Sequence, residues 1–303
     1  MNEIYRAVHT TRQNFHQRLD AWLRQQEEQA QLRKIMHQVR QDHPAMGAGA
    51  MRQLLRPCQV GRDRFRQLYN ESGFKLYQQK NYRRTTDSSG TQRFDNLLAE
   101  RELTDVNQAW SSDITYYQIA DRFYYLTFIM DLYSRRITGY SVSATLLTEA
   151  TTIPALQRAL KPIGDSQSQG LIFHSDGGGQ YYSKAFLSIT HKAGIQNSMG
   201  TTVYENAHAE RLNGTIKNSY LRHYDPTNLK ELERLTKKAI QNYNNERPHQ
   251  ALKGLCPVAF EQLRQCNPQN HPISTKKKVA KKKTDNDNNN ITKSTQKTVN
   301  LIQ

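Results

Sequence analysis

The 303-residue sequence predicts an α/β fold: a mixed five-stranded sheet with flanking helices, preceded by a helical N-terminal region. Three observations carry this. Residues 108–144 hold three runs rich in β-branched and aromatic residues with short breaks between them, the mark of antiparallel strands joined by hairpins. From 148 onward helical and strand-like patterns alternate, which adds strands across helical connections. Before residue 80 the apolar residues recur at three and four, with no strand-like run.

In chain order, residues 12–43 read as a long helix whose seam is Phe15, Leu19, Trp22, Leu23, Ile35, Met36 and Val39. "HPAMGAG" ends it, "AMRQLL" makes a short helix, "RPCQVG" a turn and "RDRFRQLYNESG" another helix. Short helices around tight turns, with Arg62, Arg64 and Arg66 on the last, suit a helix-turn-helix DNA reader; a small helical bundle with a basic face fits the pattern equally. This gives a helical DNA-binding region over 1–79. Polar, turn-rich sequence such as "KNYRRTTDSSGTQRFDN" makes 80–104 a linker.

A second unit spans 105–265. "AWSSDITYYQIA", "RFYYLTFIMDL" and "RRITGYSVSA" are its first three strands. "TEATTIPALQRAL" (148–160) is a helix with Thr148 as N-cap. "GLIFHSD" is a short buried strand, parallel to the first because a helix intervenes. "SKAFLSITHKAG" is a helix closed by Gly194, and "IQNSM" is the fifth strand. "ENAHAERLNGTIKNSYLRHY" and "NLKELERLTKKAIQNYNNERP" are two further helices, the second stopped at Pro248. The remainder, 266–303, is Lys- and Asn-rich without apolar periodicity, a basic tail expected to stay disordered.

Composition narrows the function. The 43 Lys and Arg against 27 Asp and Glu give a net charge of +16. The excess is spread out: 18 basic against 12 acidic residues in 1–107, 17 against 13 in 108–270, and 8 against 2 in 271–303. A polyanionic partner is the natural reading. No run of 18 apolar residues suggests a membrane span, and the first residues lack the apolar core of a secretory signal. Three cysteines and scattered histidines form neither a disulfide framework nor a zinc motif. The expectation is a reduced, cytoplasmic, nucleoid-associated protein with no membrane partner.

The chemistry gathers on acids. In "LIFHSDGGGQYYS" an apolar strand ends just before Asp176, which sits against Gly177, Gly178 and Gly179. That arrangement suits a turn, a metal site or a phosphate cradle. A phosphate loop would need a lysine and a Ser/Thr that are missing, so a metal site fits better. Asp113 lies inside the first strand, where an acid is costly unless paired or metal-bound. With the fourth strand beside the first, the two carboxylates converge at one edge. Glu210 follows on a helix whose Asn206, Glu210, Asn213 and Lys217 form one polar stripe. Three carboxylates are what two Mg²⁺ ions need for phosphoryl transfer. Glu205, at the helix start, faces away from that stripe.

The ordered blocks "WSSDITYY", "FIMDLYSRRITGY", "HSDGGGQYYS", "ENAHAERLNGTIKN" and "YNNERPHQALKGLCPVAF" together resemble the catalytic core of OrfB-type transposases of bacterial insertion sequences. These are the IS-three group, relatives of retroviral integrases, and the resemblance covers about residues 105–262. It implies a ribonuclease-H-like sheet and a DNA transposase: Mg²⁺-dependent cleavage and strand transfer at terminal inverted repeats. By position Asp113, Asp176 and Glu210 are the catalytic, metal-holding acids. Two Mg²⁺ ions are implied, with Mn²⁺ able to substitute. Lys217, Asn213, Asn206, Arg62, Arg64 and Arg66 are the expected DNA contacts. The implied partners are double-stranded DNA (transposon ends and target), further copies of the chain on DNA, and an upstream-frame DNA-binding product or fusion. A non-catalytic DNA-binding regulator would share the charge but need no acidic triad. A ribonuclease-H-like nuclease would share the acids but join no strands.

Overall fold

A computed structural model describes residues 10–57, 60–76, 94–99, 101–200 and 206–266. Most of the expected linker, the basic tail beyond Cys266, and Glu205 lie outside the described residues.

The N-terminal region packs three helices: α1 (Arg12–Asp42), α2 (Ala48–Leu55) and α3 (Arg62–Glu71). Thr11 caps α1 by accepting from the Asn14 N–H at 3.1 Å, satisfying one of the donors a helix start leaves free. A small core of Leu32, Met36, Met46, Met51, Phe65, Leu68, Tyr69 and Phe74 joins the three. The seam expected along α1 is buried only in its second half. Phe15, Leu19, Trp22 and Leu23 are exposed, because α2 and α3 reach only the C-terminal turns of α1, whereas Ile35 is exposed because it points away from the face of Leu32 and Met36.

This unit docks on the rest of the chain through the end of α1. His43 is buried, with Nδ1 2.9 Å from the Tyr220 hydroxyl and Nε2 3.0 Å from Glu246 Oε2. Burial holds its imidazole towards the neutral form despite that carboxylate.

The sheet contains β1 (Ala109–Ile119), β2 (Arg122–Asp131), β3 (Ile137–Ser143), β4 (Ile172–Ser175) and β5 (Gln196–Met199). Their order is β3-β2-β1-β4-β5, with β1, β2 and β3 antiparallel and β4 and β5 parallel to β1. This is the mixed five-stranded sheet that the sequence predicts. Between the strands lie α4 (Thr152–Leu160), α5 (Gly164–Ser168) and α6 (Lys184–Lys192). After β5 come α7 (Ala207–Ile216), α8 (Leu229–Asn245) and α9 (Pro257–Cys266). The chain of α7 runs on through a π-helical turn, Lys217–Leu221, to Tyr224.

Alternation along β1 and β4 divides two cores. Ala109 and Ile172 pack with α7, α8 and α9 on one face. Trp110, Phe173, Tyr181 and Phe186 pack with α4 and α6 on the other.

Two boundaries move. The helix expected from Thr148 begins at Thr152, with Thr151 as N-cap. Pro154 has no N–H to give and so must fall within the first turn. The core also begins before residue 105: Leu103 is buried in it, Leu98 packs against it, and the Leu97 N–H donates to Ser198 Oγ at 3.0 Å. Three leucines in polar sequence, Leu97, Leu98 and Leu103, carry no periodicity, so they read as linker.

Candidate active site

Strand pairing brings the first two acids together. The parallel register sets Ala109 beside Ile172, Trp110 beside Phe173 and Ser111 beside His174. Continued two places, it sets Asp113 beside Asp176. By alternation both belong to the face covered by α7.

Asp113 is half-buried and sits opposite Phe128 of β2. Its pKa is pushed up to about 7, chiefly by burial and then by Asp176 and Glu210. The Ile114 N–H and the Asn213 amide, 2.7 Å from Oδ2, offset part of this. Burial also raises Asp176, which accepts from the Gly178 N–H at 3.2 Å. A side chain on Gly177 would come within 2.9 Å of Met199 Cε, and one on Gly178 within 3.1 Å of Asp176 Oδ1. Bare backbone is needed there for close packing and for the short hydrogen-bonded loop over the carboxylate. Glu210 is exposed on the first turn of α7, where the helix dipole favours an acid whatever its use.

Each of the three acids has a stated place, and Asp113 senses both others. Among the described residues, however, no group of three His, Cys, Asp or Glu converges closely enough to hold one ion.

The polar stripe of α7 faces β1. Asn206 is buried: its Oδ1 accepts from Ser111 Oγ at 2.6 Å and its Nδ2 donates to the Ser112 carbonyl at 3.0 Å. Asn213 is also buried, with Nδ2 on Asp113 and Oδ1 without a partner. Lys217 Nζ donates to Thr115 Oγ1 at 3.1 Å and lies 4.8 Å from the centre of the Tyr116 ring. Both asparagines, expected as DNA contacts, therefore hold the helix to the strand. The N–H donors of both amides are committed inside the protein.

The three arginines of α3 do not act alike. Arg62 and Arg66 are exposed, one turn apart on the same face. Arg62 pairs with its neighbour Asp63 at 3.2 Å. Arg64 turns inward, donating to Gln29 of α1 and lying 3.9 Å from Glu71. It braces α3 on α1.

Sequence reading passed over three hydroxyls, those of Ser111, Ser112 and Tyr181. The Ser112 hydroxyl donates to the Phe128 carbonyl at 3.0 Å and lies 2.9 Å from the Tyr181 hydroxyl, in the 3₁₀ turn Gly179–Tyr182 just after Asp176. The adjacent placement of two serines before an in-strand acid was the available signal.

Residues 104–204 match the family described as Integrase core domain, and residues 192–257 match a second family of the same description. The uncharacterized 31 kDa protein of insertion element IS600 from Shigella sonnei is 34% identical over 208 residues, covering 67% of this chain and 75% of that protein. The putative transposase for IS986/IS6110 of Mycobacterium tuberculosis (strain ATCC 25177 / H37Ra) is 32% identical over 161 residues, 51% of this chain and 58% of that one. The transposase for IS629 of Shigella sonnei is 33% identical over 167 residues, 54% of each. The chain thus spans little more than half the length of these last two. Among solved structures, the HTLV-2 integrase catalytic core domain in complex with magnesium (trimeric form) is 23% identical. It covers 51% of this chain and 96% of that one, with a TM-score of 0.42.

Proposed function

We propose that this chain, which belongs to the integrase-core family of insertion-element proteins, is a DNA transposase in which Asp113, Asp176 and Glu210 cleave and join DNA at the ends of an element. The five sequence blocks favour the OrfB-type, IS-three group within that family. The observation that supports this reading is the β1–β4 register, whose continuation past Ser111 and His174 leads to Asp113 and Asp176, together with an Asp113 pKa raised by burial and then by Asp176 and Glu210.

The chemistry of the donors, rather than their present spacing, suits a divalent cation. A carboxylate pushed to about 7 by burial first, and then by Asp176 and Glu210, is short of positive charge, and a buried, unpartnered Asn213 Oδ1 lies on the residue that touches it. Oxygen-only donors of this kind suit Mg²⁺ or Mn²⁺. Bound there, the metal would activate an attacking oxygen and stabilise a leaving one at the phosphorus.

The chain's own residues supply the frame. Asp113 lies within β1, Asp176 follows directly on β4, Glu210 rides on a helix held to β1, and Asn213 orients the Asp113 carboxylate. Arg62 and Arg66, exposed on α3, are placed to meet phosphates of the element end. The charge outside the tail supports binding along the duplex. The implied setting is the bacterial chromosome in the cytoplasm, with more than one copy of the chain assembled on DNA.

The test uses a labelled element-end duplex with Mg²⁺ and separate readouts for binding, nicking and joining. Asp176→Asn and Glu210→Gln should bind DNA like the parent, yet nick and join at least a thousandfold less. This follows because a neutral amide is a poor ligand for a hard cation. Substantial joining by either variant would overturn the assignment.

A further inference from the structure

We propose that Ser111 and Ser112 are positioning residues that staple the three acid-bearing elements into one site. The proposal rests on the carboxylate assignment above and says how its spacing is set.

Successive residues of a strand point to opposite faces, so adjacent serines reach two different layers from one place in β1. Ser111 shares its face with Asp113 and reaches towards α7. Its hydroxyl donates to Asn206 Oδ1 at 2.6 Å, while the same amide returns a bond to the Ser112 carbonyl at 3.0 Å. Asn206 is the N-cap residue of α7, and Glu210 stands one turn further on. The paired bonds fix both the height and the rotation of the helix that carries Glu210.

Ser112 reaches the opposite layer. Its single proton goes to the Phe128 carbonyl at 3.0 Å, so the Tyr181 hydroxyl, 2.9 Å away, is left as the donor to Ser112 Oγ. Tyr181 is buried between Phe173 and Phe186, with ring centres 5.9 and 5.7 Å away. It belongs to the 3₁₀ turn that follows Asp176 and its glycines. Backbone pairing between β1 and β4 stops at Ser111 and His174, so the Asp176 loop extends past the last ladder bond. The Tyr181–Ser112 contact ties that loop back to β1.

All four side chains are buried, at 2% for Ser111, 0% for Ser112, 2% for Tyr181 and 5% for Asn206. None reaches solvent, so their polar groups have only each other and the backbone to satisfy. The two acids left free by ladder pairing, Asp176 and Glu210, are each held to the strand of Asp113 through a serine one or two places before it. Groups that orient metal-holding carboxylates from behind typically cost about 10- to 100-fold in metal affinity when removed.

The experiment measures Mn²⁺ binding to the full-length, DNA-free protein by titration calorimetry, beside melting temperature and Mg²⁺-dependent nicking. The variants are Ser111→Ala, Asn206→Ala, Tyr181→Phe and the double variant Ser111→Ala/Asn206→Ala. Tyr181→Phe keeps the core ring and removes only the hydroxyl, so it reports even if the alanine variants fold poorly. The expected result is Mn²⁺ affinity at least tenfold weaker in Tyr181→Phe and in Ser111→Ala, with nicking restored towards the parent rate at high metal. The double variant should lose no more than the worse single one, because both remove the same bond. Parental Mn²⁺ affinity in Tyr181→Phe and Ser111→Ala, with only a lower melting temperature, would reduce the serines to packing and overturn the proposal. A wild type whose Mn²⁺ binding is indifferent to Asp113→Asn would overturn the carboxylate site itself, and the staple with it.

Discussion

Asn213 on α7 donates its amide hydrogen to Asp113 Oδ2 at 2.7 Å across the gap between helix and strand. One bond thus joins the two elements that carry the first and third acids. It offsets only part of the cost of burying Asp113 beside Asp176 and Glu210.

Asp113→Asn should therefore end catalysis yet stabilise the metal-free protein in mild alkali. The Asp113 carboxyl has a folded pKa of about 7 against an ordinary 3.8, so the folded state holds its proton more tightly than the unfolded one. That contribution to stability is present at low pH and lost as pH rises from the unfolded value through 7. At pH 8 the buried charge costs in full, on the order of a few kcal/mol. Melting curves at pH 8 without metal should place the Asn variant above the parent. A lower melting temperature for the variant would show that the charge is already compensated.

Lys217 is anchored on the protein before any DNA arrives, through Thr115 Oγ1 at 3.1 Å and the Tyr116 ring. Burial shifts its ammonium towards losing the proton. If DNA draws it away from Thr115, Lys217→Ala should weaken element-end binding about tenfold, the worth of about 1.4 kcal/mol. Thr115→Val, which frees the ammonium without removing it, should bind at least as well as the parent. Equal weakening by both would make Lys217 a structural strut.

His249 gives the protein a defined acid sensitivity. Burial first, then Arg247 and Arg135, lower its pKa to about 4 from 6.5. The unfolded chain takes up this proton below 6.5 and the folded chain does so only near 4. Stability is fully present above 6.5 and drains away as pH falls through that window, at up to about 1.4 kcal/mol per unit. Urea unfolding at pH 7 and pH 5 should show a steeper loss for the parent than for His249→Asn. Parallel losses would mean that His249 is protonated in the fold.

Gly139 of β3 marks the closest approach of sheet and helix. A Cβ there would stand 2.2 Å from the Ala155 carbonyl and 2.8 Å from Ala159 Cβ. Gly139→Ala must push α4 off the sheet and should cost about 1–3 kcal/mol or more, read as a lower denaturation midpoint. An unchanged midpoint would show that α4 moves freely.

The sequence by itself determined the strands, their order of appearance and the acids. Alternation in "AWSSDITYYQIA" and the helix between it and "GLIFHSD" are local or pairwise facts, and with β4 beside β1 they direct Asp113 and Asp176 towards one sheet edge. The stripe Asn206, Glu210, Asn213 and Lys217 was equally legible, because helical spacing depends on nothing beyond the helix.

What only the tertiary structure decided is what such a stripe faces. Asn206 and Asn213 turn to β1, and Arg64 turns to Gln29 and Glu71 while Arg62 and Arg66 stay in solvent. A polar side chain reads the same in sequence whether its partner is water, DNA or a residue a hundred positions away. The α1 seam shows the reverse case: Phe15, Trp22 and Leu23 are apolar at helical spacing, yet α2 and α3 lie only against the later turns. Periodicity fixes which face would be buried, and packing alone supplies the neighbour that buries it.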